Sequence, residues 1–218
     1  MKYTPHDYQA HTTNFITTHP EAAVFLGMGL GKTIITLTAI KSLLLDSFEV
    51  TKVLIVAPLR VARDTWPAEL EKWDHLADLR MSVVVGDKKA RTTALNQDAD
   101  IYVINRENIP WLVEATWPGW PFDMVIIDEL SSFKSHQARR FKALRKCRPK
   151  IRRIVGLTGT PAPNSLLDLW AQFALIDGGQ RLGKFITHYR DRYFLPDKRN
   201  GPQAVSYTHL RAHETSLH

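Results

Sequence analysis

The segment GMGLGKT at Gly27–Thr33 constrains this chain more than any other stretch. The residues before it, Glu21–Phe25, are apolar enough for a short buried strand, and those after it, Ile34–Leu45, read as a helix. A glycine-rich turn between strand and helix aims backbone N–H groups at an anion, and the helix N-terminus adds its dipole. Gly29 and Gly31 let the backbone, with Leu30 between them, wrap phosphate without Cβ clashes. Lys32 then reaches the β- and γ-phosphates, and the Thr33 hydroxyl is suited to ligate Mg²⁺. The strict pattern G-x-x-x-x-G-K-[ST] fails at one place, where Leu26 stands for the first glycine.

A second motif lies downstream. Phe122–Leu130 reads FDMVIIDEL, and Met124–Ile127 is a continuous apolar run, as in a strand buried on both faces of a parallel sheet. The run ends in Asp128 and Glu129. Such a pair also caps strand-to-helix turns, so alone it leaves both readings open. With a phosphate loop upstream it points to ATP hydrolysis: Asp128 holds the Mg²⁺ shell and Glu129 orients or deprotonates the attacking water.

The rest of the chain alternates strands and helices. A helix is expected over Pro5–Thr18 and strands at Ala22–Phe25, Lys52–Ala57, Ser82–Val85, Ile101–Ile104, Met124–Ile127 and Ile154–Leu157. Helices are expected over Thr33–Leu45, Val61–Trp73 and from Gly86-Asp87 onward. Trp66 and Trp73 fit the core of the third helix, while Trp111, Trp117 and Trp120 read as loop anchors. This order predicts an α/β fold, a mostly parallel sheet with helices on both faces, with ligands at the C-terminal strand ends, where the phosphate loop, Asp128 and Thr158 converge. Trp117–Pro121 reads as a rigid loop and Asp177–Gly183 as the clearest flexible stretch. A single cysteine, Cys147, excludes a disulfide framework and a multi-cysteine zinc site, and the histidines lack metal spacing. No apolar run approaches the ~18 residues of a membrane span, and the N-terminus lacks a signal-peptide core. A soluble protein of the reducing cytoplasm, in a bacterial or phage-infected cell, is expected.

Taken together, these motifs resemble the first RecA-like lobe of a superfamily 2 helicase, of the Swi/Snf-type branch of DNA-dependent ATPases, and in particular its compact phage and prophage versions. The likeness runs from about Tyr3 to Asn200. Tyr8-Gln9 resembles the adenine-sensing glutamine motif. GMGLGKT is the helicase form of the phosphate loop, which needs only Gly-x-Gly-Lys-Thr. VLIVAPLRVARDTW at Val53–Trp66, with Arg60, resembles the first DNA-contacting motif. YVINREN at Tyr102–Asn108, with Asn105, resembles the next strand-end motif. IIDELSSFKS at Ile126–Ser135 matches the DExx box. GLTGTPAPN at Gly156–Asn164, with Thr160 and Asn164, resembles the motif that couples ATP state to DNA. Two departures stand out. Leu26-Gly27 replaces the Asp-Glu of many relatives, and Ser131 occupies a position held by His in other families.

The resemblance implies a RecA-like P-loop NTPase lobe over residues 1–204 that binds ATP and Mg²⁺ through Gln9, Gly29, Leu30, Gly31, Lys32, Thr33 and Asp128, with Lys32 and Glu129 catalytic. It implies double-stranded DNA as partner and a second RecA-like lobe, absent here, that supplies the arginine for transition-state charge. Two other functions stay open: a strand-separating helicase or restriction-type motor subunit, and a truncated lobe that binds nucleotide or DNA without turnover. Arg60, Asn105, Thr160 and Asn164 are balanced between local capping and DNA contact.

The net charge is +7, and it is localised. From Lys134 to Arg153 there are ten basic residues and no acid, among them Lys134, Arg139 and Arg140. Ala138, Phe141 and Leu144 repeat at helical spacing and face a core, which turns several cations outward. Such a run is a solvated face or a phosphate-backbone contact that gives affinity without sequence preference; the DNA contact is favoured. The last residues stand apart. VSYTHLRAHET at Val205–Thr215 resembles read-through translation of a transposase-type sequencing adapter, so residues 205–218 are expected to be non-native, with the natural product continuing beyond about Ala204. Removing them deletes Arg211 and Glu214 and leaves the charge at +7.

Overall fold

The computed structural model describes residues 1–162, 164–197 and 206–209. Six parallel strands form one sheet: β1 (Glu21–Phe25), β2 (Val53–Ala57), β3 (Met81–Val84), β4 (Ile101–Asn105), β5 (Met124–Asp128) and β6 (Arg153–Thr158). Their spatial order is β1-β6-β5-β2-β4-β3. The apolar runs read from the sequence lie in these strands, each within a residue or two of the expected bounds.

The central strands are buried on both faces because their side chains alternate between two cores. Leu54, Val56, Val125 and Ile127 point into one core, where helices α5 (Ile109–Thr116), α6 (Arg139–Cys147) and α7 (Asp168–Ile176) contribute Leu112, Phe141, Leu144 and Leu175. Val53, Ile55, Met124 and Ile126 point into the other, which receives Ile16 from α1 (Asp7–Thr18), Ile35 and Leu37 from α2 (Lys32–Lys41), and Trp66 from α3 (Trp66–Lys72). Helix α4 (Lys88–Leu95) opens on Asp87, whose side chain accepts from the Ala90 N–H at 2.8 Å, and α8 (Ile186–Tyr193) closes the series.

Two expected helices are compound. The turn of α2 passes into a π-helical turn at Ser42–Asp46, and α3 is entered through another at Val61–Thr65. Wider turns of this kind are rare and are frequently found at functional sites. Gly156 shows how tightly β6 is covered: a Cβ there would lie 2.5 Å from Leu130 Cδ2 and 3.0 Å from Ile176 Cδ1. Only glycine lets β6 pass beneath the segment that follows the acidic pair.

The Asp177–Gly183 stretch departs from expectation. Its composition predicts mobility, but the Asp177 side chain is fully buried. Its Oδ1 accepts from the N–H groups of Gly179 at 2.8 Å and Gln180 at 3.0 Å, and its Oδ2 from Arg181 N–H at 3.2 Å. A buried carboxylate that satisfies three backbone donors fixes this loop. Trp111 lies in α5 rather than in a loop, under the Arg91 guanidinium. Finally, β7 (Phe194–Asp197) pairs antiparallel with β8 (Ser206–His209), and β8 falls within the stretch that resembles adapter sequence.

Candidate nucleotide site

The sheet order brings three strand ends together. Phe25 of β1 is level with Thr158 of β6, and Asp128 of β5 is level with Leu157. β6 therefore stands between the phosphate loop and the acidic pair. The loop itself has the backbone that its glycines predict: Gly29 and Gly31 have φ of 76° and 77°, and Gly31 caps α2. Lys32 Nζ donates to the carbonyls of Leu26 and Gly27, each at 2.9 Å. An ammonium has three donors, so one remains for a phosphate oxygen.

Gln9 sits against this loop. Its Oε1 accepts from the His6 N–H at 3.0 Å at the start of α1, and its Nε2 lies 2.6 Å from where a Cβ on Gly31 would be. Gly31 is thus required twice, by its φ and by the close approach of Gln9. The Tyr8 hydroxyl donates to the Leu30 carbonyl at 3.3 Å, which fastens the loop to α1. A cleft of about 660 Å³ opens here, lined by Tyr8, Gln9, Gly29, Gly31, Lys32 and Thr33, and extends past Thr65 to Tyr3 and Trp73. Its size suits a nucleotide.

Behind the loop, Asp128 is held by a residue whose part was not read from the sequence. Trp66, fully buried, donates its indole N–H to Asp128 Oδ2 at 3.0 Å. Burial pushes the Asp128 carboxyl above its ordinary pKa; the neighbouring Glu129 charge adds to this, while the Trp66 hydrogen bond and the Lys32 charge oppose it. Glu129 takes a left-handed backbone, φ 60°. Its Oε1 accepts from the Thr158 hydroxyl at 3.1 Å and from the Ser131 hydroxyl. Ser131 thus keeps a bond to the acidic pair in a position where other families have His. Thr158 Oγ1 in turn accepts from the Thr160 N–H at 3.1 Å, so Glu129 is wired directly into the 156–164 segment. Thr158 stands where the strand order predicts, at the strand ends with the phosphate loop and Asp128, while its bond to Glu129 is seen only in the structure.

The expected DNA contacts fall into two groups. Arg60, Lys134, Arg139, Thr160 and Asn164 are exposed. Asn105 is buried, with its Nδ2 on Glu107 at 3.1 Å and its Oδ1 accepting from Asn108 at 2.5 Å. Arg140 is half-buried, bonds the Ser132 carbonyl at 2.7 Å and lies over the Phe133 ring. Among the described residues no group of three or more His, Cys, Asp or Glu side chains converges. Thr33 and Asp128 fit Mg²⁺ nonetheless, because that ion takes few protein ligands and completes its shell with water and substrate phosphates.

A parallel sheet with a phosphate loop at one strand end and paired acids two strands away defines the class: a RecA-like ATPase lobe. Residues 21–190 match the SNF2-related domain. The chain belongs to that family and is similar to the first lobe of Swi/Snf-type superfamily 2 ATPases. Putative protein p41 of Acyrthosiphon pisum secondary endosymbiont phage 1 is 41% identical over 220 residues, covering 96% of this chain and 48% of that protein. The putative ATP-dependent helicase/translocase YwqA of Bacillus subtilis (strain 168) is 28% identical over 176 residues, covering 78% of this chain and 18% of its own length. The Sulfolobus solfataricus SWI2/SNF2 ATPase core in complex with dsDNA superposes with a TM-score of 0.75 at 24% identity, over 88% of this chain and 39% of that one. The chain spans about half the length of the phage relative and less of the others. No helix among the described residues is long and apolar enough to cross a membrane.

Proposed function

We propose that this chain is the ATP-binding lobe of a motor that moves on double-stranded DNA in the cytoplasm of a bacterial or phage-infected cell. The observation that carries this reading is the pairing of Glu129 with Thr158. One carboxylate oxygen of Glu129 is anchored by Thr158 and Ser131, while no described residue bonds the other. A base held by one oxygen presents the second to a water molecule. The same anchor joins it to the segment that carries Thr160 and Asn164, so DNA at that loop and water at Glu129 share one hydrogen-bonded path.

Lys32 gives its free donor to the terminal phosphates, the loop N–H groups hold the phosphate oxygens, and Gln9 faces the base end of the cleft. Mg²⁺, held by Thr33 and Asp128, supplies neutralisation of phosphate charge when bound. Arg60, Lys134, Arg139, Thr160 and Asn164 are the DNA-facing candidates, while the buried Asn105 and the inward-turned Arg140 shape the segments beside them. A second RecA-like lobe would supply the stabilising arginine.

Nucleotide binding and turnover test different parts. Lys32→Ala should weaken ATP binding by about 100-fold, as removal of charge-assisted hydrogen bonds of this kind does. The 218-residue chain should bind ATP yet turn it over slowly even with duplex DNA. Joined to a second lobe, turnover should rise by about 10³–10⁵-fold, the usual contribution of a trans-acting arginine. In that longer protein Glu129→Gln should keep ATP binding and lose about 10²–10⁴-fold in rate. A normal rate in Glu129→Gln would remove Glu129 from the water-activating role.

A further inference from the structure

We propose that Trp66 is a positioning residue for Asp128: its indole N–H fixes the plane of the carboxylate that receives the divalent cation. This rests on the reading of Asp128 as a Mg²⁺ ligand. A buried indole N–H must find an acceptor. Trp120 donates to the Phe122 carbonyl at 2.8 Å and Trp170 to the Gly183 carbonyl at 3.0 Å, while the half-buried Trp73 donates to Glu69 of the helix it follows at 2.9 Å. Trp66, fully buried, donates to Asp128 Oδ2, a carboxylate on a strand end 62 residues away. The ring is packed with α2 and β2 residues in one core, so it cannot swing away, and the carboxylate it holds cannot rotate freely.

The chemistry of the donor matters. A lysine or arginine in this place would orient the carboxylate and also cancel the charge that a cation needs. A neutral N–H orients it and leaves the charge, which is the usual role of an outer-shell partner of a metal ligand. Trp66 holds the carboxylate from a different element of the fold. Trp66 also begins α3 directly after the Val61–Thr65 turn, and Arg60 caps that turn. The indole therefore ties the cation-binding carboxylate to the strand-end segment that carries Arg60.

The test is a titration of fluorescent ADP onto the 218-residue chain at rising Mg²⁺ concentration. In Trp66→Phe the Mg²⁺ midpoint should rise by about 10–100-fold, as loss of outer-shell partners does, while affinity without Mg²⁺ stays at the wild-type value. Trp170→Phe, which loses an indole bond to a carbonyl, should leave the midpoint in place. A purely structural Trp66 would lower melting temperature and Mg²⁺-free affinity without moving the midpoint. If Trp66→Phe fails to fold, benzothienylalanine at position 66 decides, because it keeps the ring shape and replaces N–H by sulfur. An unchanged midpoint in a folded variant overturns the inference alone. A wild-type chain whose ADP affinity ignores Mg²⁺ overturns the reading of Asp128 as well.

Discussion

The strand-end site and the basic run at 134–153 are both dense in polar side chains, yet the fold treats them in opposite ways. At the strand ends each motif residue is held by a residue of another motif or by its own loop: Asp128 by Trp66, Glu129 by Thr158, Lys32 by the phosphate-loop carbonyls. In the basic run a uniform sequence is divided. Arg148 turns inward to the Leu175 and Ile176 carbonyls at the end of α7, and to Glu21. Arg153 bonds the Ile16 and Thr17 carbonyls at the end of α1, and Glu49. Arg139, Lys142 and Lys146 stay exposed. The first region uses charge for chemistry. The second uses part of its charge to close helix ends, and only the remainder can meet a partner.

The sharpest way to break this contrast is to remove one cation of each kind. Arg153 is 6% exposed, and burial pulls its guanidinium below its ordinary pKa. Arg153→Ala leaves two α1 carbonyls unsatisfied; we expect a loss of about 3 kcal/mol, read as a melting temperature about 10 °C lower for a chain of this size. Arg139→Ala should leave the melting curve where it is. Equal melting temperatures for the two variants would mean that the run is one solvated face after all.

Charge reversal of the exposed set tests the other half of the comparison. Arg139→Glu, Lys142→Glu and Lys146→Glu together should weaken duplex DNA binding similarly for all sequences. The slope of log affinity against log salt should fall by about 0.9 for each DNA phosphate that is no longer neutralised. Lys146 Nζ lies 4.0 Å from the centre of the Trp117 ring, so its replacement also uncovers an exposed indole, and the single Lys142→Glu variant separates the two effects. An unchanged slope would assign α6 to solvent or to a protein partner.

The same contrast explains what the sequence could disclose. The strands and the phosphate loop were legible because burial on two faces and a positive-φ turn leave direct marks: VLIVA, MVIID and Gly-x-Gly-Lys-Thr. The acidic pair was legible from its place at a strand end. Trp66 was legible as core, but its bond to Asp128 joins positions 62 residues apart, and no local pattern encodes that. The place of Thr158 at the strand ends was legible too, but its bond to Glu129, 29 residues away, was hidden for the same reason. The inward turn of Arg140, Arg148 and Arg153 was illegible because most of their acceptors are carbonyls, which every residue has, and the carboxylates of Glu21 and Glu49 are distant in sequence from the arginines they bond. Asp177 misled in the other direction: a Gly-rich stretch suggests mobility until one buried carboxylate collects its N–H groups.

The smallest expected effect concerns the end of the chain. β8 pairs with β7 in a separate two-stranded sheet, outside the six-stranded one that builds the site. A two-stranded hairpin is marginal in water on its own, so it adds little to a lobe with two full cores. On the β7 side Phe194 is buried in the main core, and it lies before the segment in question. We propose that residues 205–218 are foreign to the natural product, in keeping with their likeness to adapter sequence. Deleting them should then shift neither the melting temperature nor ADP affinity, and should leave the salt slope for DNA at the wild-type value, because the net charge is unchanged. A clear loss of stability would show that Ser206–His209 belongs to the fold. It would also move the boundary of the lobe past Ala204, and the hairpin would join the strand-end site as a region where distant pairing, rather than local composition, decides what a segment is for.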